Sequence, residues 1–287
     1  MAEITVRGRD GIALRGDVYG DDGAPPVVLL HGGGQTRHAW GTTASALAES
    51  GWRAYTIDLR GHGDSDWDPN GDYSFDAFAA DVAEVAKSLP QPPALVGASL
   101  GGISSLAAIA ESDPQGTVAC ALVLVDVAPR IEVNGVARIG QFMTAHLDGF
   151  ASLEEVADAV AAYNPHRPRP KDLAGLSKNV RQREDGRWYW HWDPAFVGGR
   201  FGSSDETRSS MVQPNRLADD ARALTVPTLL VRGRMSDLLS EEGAKELLEL
   251  VPHAELVDVA GAGHMVAGDR NDVFNDAVVS FLQRLPR

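Results

Sequence analysis

The chain has 287 residues, 44% hydrophobic and 23% charged, the make-up of a globular protein with one large core or two smaller ones. Its formal net charge of −14 argues against a nucleic-acid partner and against attraction to an anionic membrane, since both need a basic surface. Cys120 is the only cysteine, which excludes an intramolecular disulfide, and its apolar neighbours predict a buried thiol.

Short apolar runs predict strands at Glu3–Arg7, Ala13–Tyr19, Pro26–Leu30, Arg53–Ile57, Ala94–Val96, Ala121–Val125, Thr228–Arg232 and Glu255–Val259. Between them, helical periodicity marks Ala39–Glu49, Phe75–Leu89, Leu100–Glu111, Glu241–Leu250 and Val273–Leu285. Asp10-Gly11 is a hairpin turn signal, so the sheet is expected to begin antiparallel. The later alternation predicts an α/β fold, a mostly parallel eight-stranded sheet flanked by helices. That alternation stops between Ala128 and Asp219. Helical patterns at Val136–Leu147 and Leu153–Tyr163, a run Pro165-His166-Arg167-Pro168-Arg169-Pro170 and a tryptophan cluster occupy the gap. The expected organisation is a core of residues 1–128 and 219–287 with a helical insertion at 129–218. Met1-Ala2-Glu3-Ile4-Thr5 lacks the basic start and apolar run of a signal peptide, and no stretch is apolar enough to span a bilayer. The cytoplasm is the expected location.

Gly97-Ala98-Ser99-Leu100-Gly101 follows one predicted strand and opens a helix of small residues. Gly-x-Ser-x-Gly at such a turn is a nucleophile elbow: a strained backbone holds the serine oxygen clear of the sheet, at a helix N-terminus that favours negative charge. A serine hydroxyl needs a base to take its proton, and the base needs a third group to orient it. His264, in Gly261-Ala262-Gly263-His264-Met265 after the last strand, fits the base. Two acids compete for the third role. Asp237 follows the strand at 228–232, immediately before the histidine strand, and is preferred. Asp126 closes the strand at 121–125 and is the alternative; both give the order Ser, Asp, His.

A developing oxyanion needs two donors. One is the backbone N–H of Leu100. The other comes from His31-Gly32-Gly33-Gly34 after the third strand, with Gly33 the first choice and Gly34 the second. No Gly-Lys-Ser/Thr follows these glycines, which disfavours a phosphate loop. The histidines lack ligand spacing, so no metal is expected, and the chemistry calls for no cofactor.

With the elbow, His31-Gly32-Gly33, Trp40 and Asp58-Leu59-Arg60-Gly61-His62-Gly63-Asp64-Ser65, the chain resembles the α/β-hydrolase family over nearly the whole core. The resemblance implies that the Asp58–Ser65 segment braces loops, and that the insertion corresponds to the family's helical cap. Members that open epoxides or displace halide carry aspartate at the elbow; Ser99 points instead to acyl transfer. The expected activity is hydrolysis of a small or medium apolar carboxylic ester or lactone through an acyl-enzyme. Hydrolysis of a carbon–carbon bond in a ring-cleavage product, or perhydrolysis, would use the same residues. A non-catalytic small-molecule receptor is the reading outside enzymes. The partner is a small-molecule substrate, and a monomer or homodimer is expected. In the run from Trp188 to Trp192, an extended backbone would put Trp188, Trp190 and Trp192 on one face, either as an aromatic wall or as packing.

Overall fold

The computed structural model describes residues 1–112, 118–165, 169, 173–201, 214–266 and 271–285. Most of the run from Pro165 to Pro170, including His166, lies outside the described residues. Strands β1 (Ala2–Arg7), β2 (Ala13–Tyr19), β3 (Pro26–Leu30), β4 (Arg53–Ile57), β5 (Ala94–Ala98) and β6 (Ala121–Val125) are all found close to their predicted positions. Strands β9 (Thr228–Gly233) and β10 (Glu255–Val259) complete one eight-stranded sheet in the order β1-β2-β4-β3-β5-β6-β9-β10. Only β2 runs against its neighbours; it pairs antiparallel with β1 and β4. The turn into β2 uses Asp10 and Gly11 at φ of 59° and 79°, the left-handed backbone that these two residue types tolerate best.

Side chains alternate across each strand, so one strand feeds two cores. Val27 and Leu29 of β3 join a cluster with Ala44 and Leu47 of α1 (Gly41–Glu49) and Phe274 and Val278 of α9 (Asn271–Gln283). Val28 and Leu30 face the other way. There they meet α2 (Phe75–Lys87) and α3 (Leu100–Ser112), while α7 (Pro214–Arg222) and α8 (Glu241–Leu250) pack along the same face. All five residues of β6 are buried, as a parallel strand covered on both faces requires. Cys120 corrects an expectation: it is exposed, at the foot of β6, where the chain enters the sheet between buried Ala119 and Ala121.

Between β6 and β9 the described residues add no strand to the main sheet. They form α4 (Val133–Thr144), α5 (Leu153–Tyr163), α6 (Pro194–Phe201) and a small antiparallel pair, β7 (Val180–Gln182) with β8 (Trp188–Trp190). The hairpin was not expected. Its strands have three residues each, too few for an alternation to stand out. Among the described residues no helix is long and apolar enough to cross a membrane.

Candidate active site

Ser99 sits between β5 and α3 at φ 47°, a left-handed backbone that costs a non-glycine residue about 1–3 kcal/mol. The surrounding glycines make this turn possible. A Cβ on Gly97 would come 2.5 Å from the carbonyl carbon of Gly101, and one on Gly101 would come 2.4 Å from the Leu30 carbonyl oxygen. Any side chain at either position would push α3 off the sheet. The next turn is then held by the Gly101 N–H donating to His31 O at 3.2 Å.

His264 follows β10 and is largely buried, its side chain 16% exposed. Its Nδ1 lies 2.7 Å from Asp126 Oδ2. With Nδ1–H donating to the carboxylate, Nε2 is left as the acceptor. Asp126 is fully buried. Its Oδ1 accepts from the Gly233 N–H at 2.9 Å, and its Oδ2 also accepts from Ser236 Oγ at 2.5 Å. Ser236 Oγ is itself held by the amides of Leu238 and Leu239, each at 3.1 Å. These donors are what a carboxylate taken out of water requires.

The expectation for Asp237 is therefore corrected. Its carboxylate turns outward to Arg138 Nη1 of α4 at 2.7 Å and is nearly half exposed. The donors of the β9 loop, Gly233 N–H and Ser236 O–H, both turn toward Asp126, so the loop serves the neighbouring strand's acid.

Of the two expected donors, Leu100 follows Ser99 directly and Gly33 lines the same cavity. Among the described residues, the amides of Gly33 and Leu100 make no hydrogen bond. The neighbouring loop amides are committed: Gly32 N–H to Gln35 Oε1 at 2.9 Å and Gly34 N–H to His62 Nε2 at 3.1 Å. Of the first and second choices, Gly33 and Gly34, only the Gly34 N–H is thus bonded within the protein.

Gly33, Ser99, Leu100 and His264 line one cavity of about 540 Å³. Much of the rest of its wall comes from the segment between β6 and β9, including Ile139, Phe142, Met143, Val160 and Trp190. Phe142 stacks on Tyr163 at 4.3 Å between centroids and tilts against Trp190 at 5.2 Å. Burial pushes the Tyr163 phenol up to about 12, so it stays neutral. Trp190 and Trp192 do share a face, stacked at 4.8 Å and 14°; Trp190 lines the cavity and Trp192 does not.

The Asp58–Ser65 segment forms a buried ionic scaffold. Asp58 accepts from the Arg37 amide at 2.6 Å and pairs with its guanidinium. Arg60 makes a two-pronged pair with Asp81 at 2.6 and 2.8 Å. Among the described residues, no group of three or more His, Cys, Asp or Glu side chains is arranged to hold a metal ion.

A serine on a glycine-hinged elbow, sharing a cavity with a histidine backed by a buried carboxylate, on a sheet of this order, belongs to one class of protein. Residues 27–277 match the Alpha/beta hydrolase family, and the chain is a member of that family. It is 34% identical over 257 residues to the esterase Rv0045c of Mycobacterium tuberculosis, covering 86% of this chain and 79% of that protein. A solved structure of that esterase superposes with a TM-score of 0.74 at 28% identity, covering 99% of this chain and 93% of the other. The sn-1-specific diacylglycerol lipase ABHD11 of Mus musculus is 29% identical over 269 residues, 92% of this chain and 82% of that one. The structure of E-2-(acetamidomethylene)succinate hydrolase shares the fold at a TM-score of 0.83 and 23% identity, over 98% of this chain and 99% of its own.

The sequence gives no individual role to Ser236 or His191, and to His62 only a share in the loop-bracing segment Asp58–Ser65. Ser236 stands one residue before the acid that sequence order favoured. His191 lies inside an aromatic run that reads first as packing.

Proposed function

We propose that this protein is an ester-cleaving hydrolase that acts on apolar carboxylic esters or lactones through an acyl-enzyme on Ser99. The observation that carries this reading is the bond from His264 Nδ1 to buried Asp126 at 2.7 Å, made on the edge of the cavity that Ser99 lines. Ester cleavage is supported by the relatives, one of them an esterase at 34% identity and another a diacylglycerol lipase.

Ser99 Oγ attacks the carbonyl carbon as His264 Nε2 takes its proton, and Asp126 holds the resulting imidazolium. The oxygen of the tetrahedral adduct accepts from the Gly33 and Leu100 amides, the latter at the positive end of α3. Collapse expels the alcohol, which His264 reprotonates. Water then attacks the acyl group with His264 again as base, and the acid leaves. The segment between β6 and β9 acts as a cap whose apolar side chains favour an aliphatic or aromatic substrate, at about 0.8 kcal/mol per buried methylene.

A series of p-nitrophenyl esters of increasing chain length tests the proposal. A burst of p-nitrophenol equal to the enzyme concentration, followed by slower turnover, is the expected result. No release above the buffer rate across the series would overturn it.

A further inference from the structure

Three glycines in a row leave the oxyanion loop with almost no intrinsic preference for one backbone conformation. Gln35 closes the loop on Gly32 through its amide and its side chain, and imidazoles hold the rest. His31 Nδ1 contacts Gly32 O at 2.8 Å, His62 Nε2 accepts from the Gly34 amide, and His191 Nε2 contacts Gly34 O at 3.3 Å. The three rings adjoin, with centroids 5.2 Å apart from His31 to His62 and 5.8 Å from His62 to His191. His31 and His62 come from the core. His191 comes from the segment between β6 and β9.

Resting on the assignment of the Gly33 amide to the oxyanion, we propose that His191 is a positioning residue that fixes the oxyanion loop from the cap. Its tautomer is set by geometry. Nδ1 accepts from the Gly63 N–H at 2.7 Å, so the ring proton sits on Nε2 and is donated to Gly34 O. Peptide planarity then carries the restraint along the loop. The Gly33–Gly34 peptide is pinned at its N–H by His62, and the Gly34–Gln35 peptide at its carbonyl by His191. Gly34 is thereby held on both of its peptides, one from the core and one from the cap, directly beside Gly33. The cap also leaves no room for a side chain at Gly34, where a Cβ would meet Met143 Cε at 3.2 Å and Trp192 Cζ3 at 3.4 Å.

The cap hairpin is placed firmly enough for this role. Arg181 Nη2 bonds Asp64 at 2.6 Å, the Asp193 N–H donates to Gly61 O at 2.9 Å, and Tyr73 O–H donates to Asp193 at 2.5 Å. His191 is 2% exposed, and burial pushes it down to about 3, which keeps the ring neutral. The cap thus sets transition-state geometry as well as enclosing the substrate.

The test compares His191→Phe, which keeps the ring volume, with His191→Gln, which keeps an N–H at the position of Nε2. In each, kcat and KM for an ester are measured beside the affinity for an alkyl trifluoromethyl ketone, a mimic of the tetrahedral adduct. The Phe variant is expected to lose roughly tenfold to a hundredfold in kcat and in ketone affinity, the scale of a displaced oxyanion donor. KM should hold within about twofold, and Gln should restore most of the loss. A folded Phe variant with wild-type kcat overturns the proposal, as does an equal loss in KM that Gln does not relieve. If the Phe variant does not fold, Gln is compared with Asn, which keeps only the acceptor toward Gly63. Gln above Asn in kcat supports the proposal, and equal values overturn it. Failure of the Ser99 reading would look different: the wild-type enzyme itself would be insensitive to the ketone.

Discussion

Ser99 and Asp126 stand side by side at the ends of β5 and β6, each one residue beyond the paired Ala98 and Val125, and both have positive φ, 47° and 51°. The Ser99 amide bonds the carbonyl of Val125 at 3.3 Å across that junction. Two adjacent parallel strands thus end in the same kind of sharp turn. One presents an oxygen to the cavity, and the other presents a carboxylate to the histidine behind it.

From this the two acids should separate sharply. Asp126→Asn removes the charge behind His264 and favours the wrong tautomer, and should lower kcat by about a thousandfold to ten-thousandfold. Asp237→Asn breaks only a half-exposed ion pair with Arg138 and should cost less than about tenfold. Steady-state ester hydrolysis by the two purified variants checks the ranking; the reverse order would return the role to the β9 loop.

Cap residues should divide by whether they line the cavity. Phe142→Ala opens the wall and should move relative kcat/KM toward longer acyl chains by about tenfold, the scale of a few apolar contacts. Trp192, 2% exposed and stacked on Trp190, should behave as packing. Trp192→Ala should cost roughly 3–5 kcal/mol of stability and leave the chain-length profile unchanged. Denaturant melts and the ester series together distinguish the two behaviours.

Acid should weaken the fold through its buried imidazoles. Burial holds His31 below its ordinary value and takes His191 down to about 3. As pH falls below about 6.5, the unfolded chain takes up these protons first, so the stabilisation present above that pH is lost toward the folded values. Between pH 7 and 5, His191 alone should account for about 2 kcal/mol. Unfolding free energies of wild type and His191→Phe across that range should converge as pH falls. Parallel curves would mean that the His191 ring takes up its proton over the same pH range in the folded and the unfolded chain, and would contradict its neutral burial.

Most of the core was legible in the sequence because fully buried strands are written as apolar runs; Ala121–Val125 and Pro26–Leu30 needed no other signal. The elbow was legible because its backbone admits only glycine at 97 and 101. The acid was not. Asp126 and Asp237 both follow buried strands before His264, and what separates them is the direction of Gly233 N–H and Ser236 O–H, a property of loop conformation. The role of His191 was hidden for a similar reason. Its contacts with Gly34 and Gly63 span 157 and 128 residues, and its neighbours Trp190 and Trp192 already account for an aromatic run.

Trapping the acyl-enzyme bears on Ser99 without intermediaries. The protein is quenched in acid during turnover of a p-nitrophenyl ester, digested and mapped by mass spectrometry, with Ser99→Ala carried in parallel. The acyl mass should appear on the peptide containing Gly97-Ala98-Ser99-Leu100-Gly101, at Ser99, and be missing from the variant, whose turnover should fall at least about a thousandfold. An acyl group on another residue, or a folded Ser99→Ala protein that keeps more than about a tenth of wild-type turnover, would contradict the assignment of Ser99 as the nucleophile.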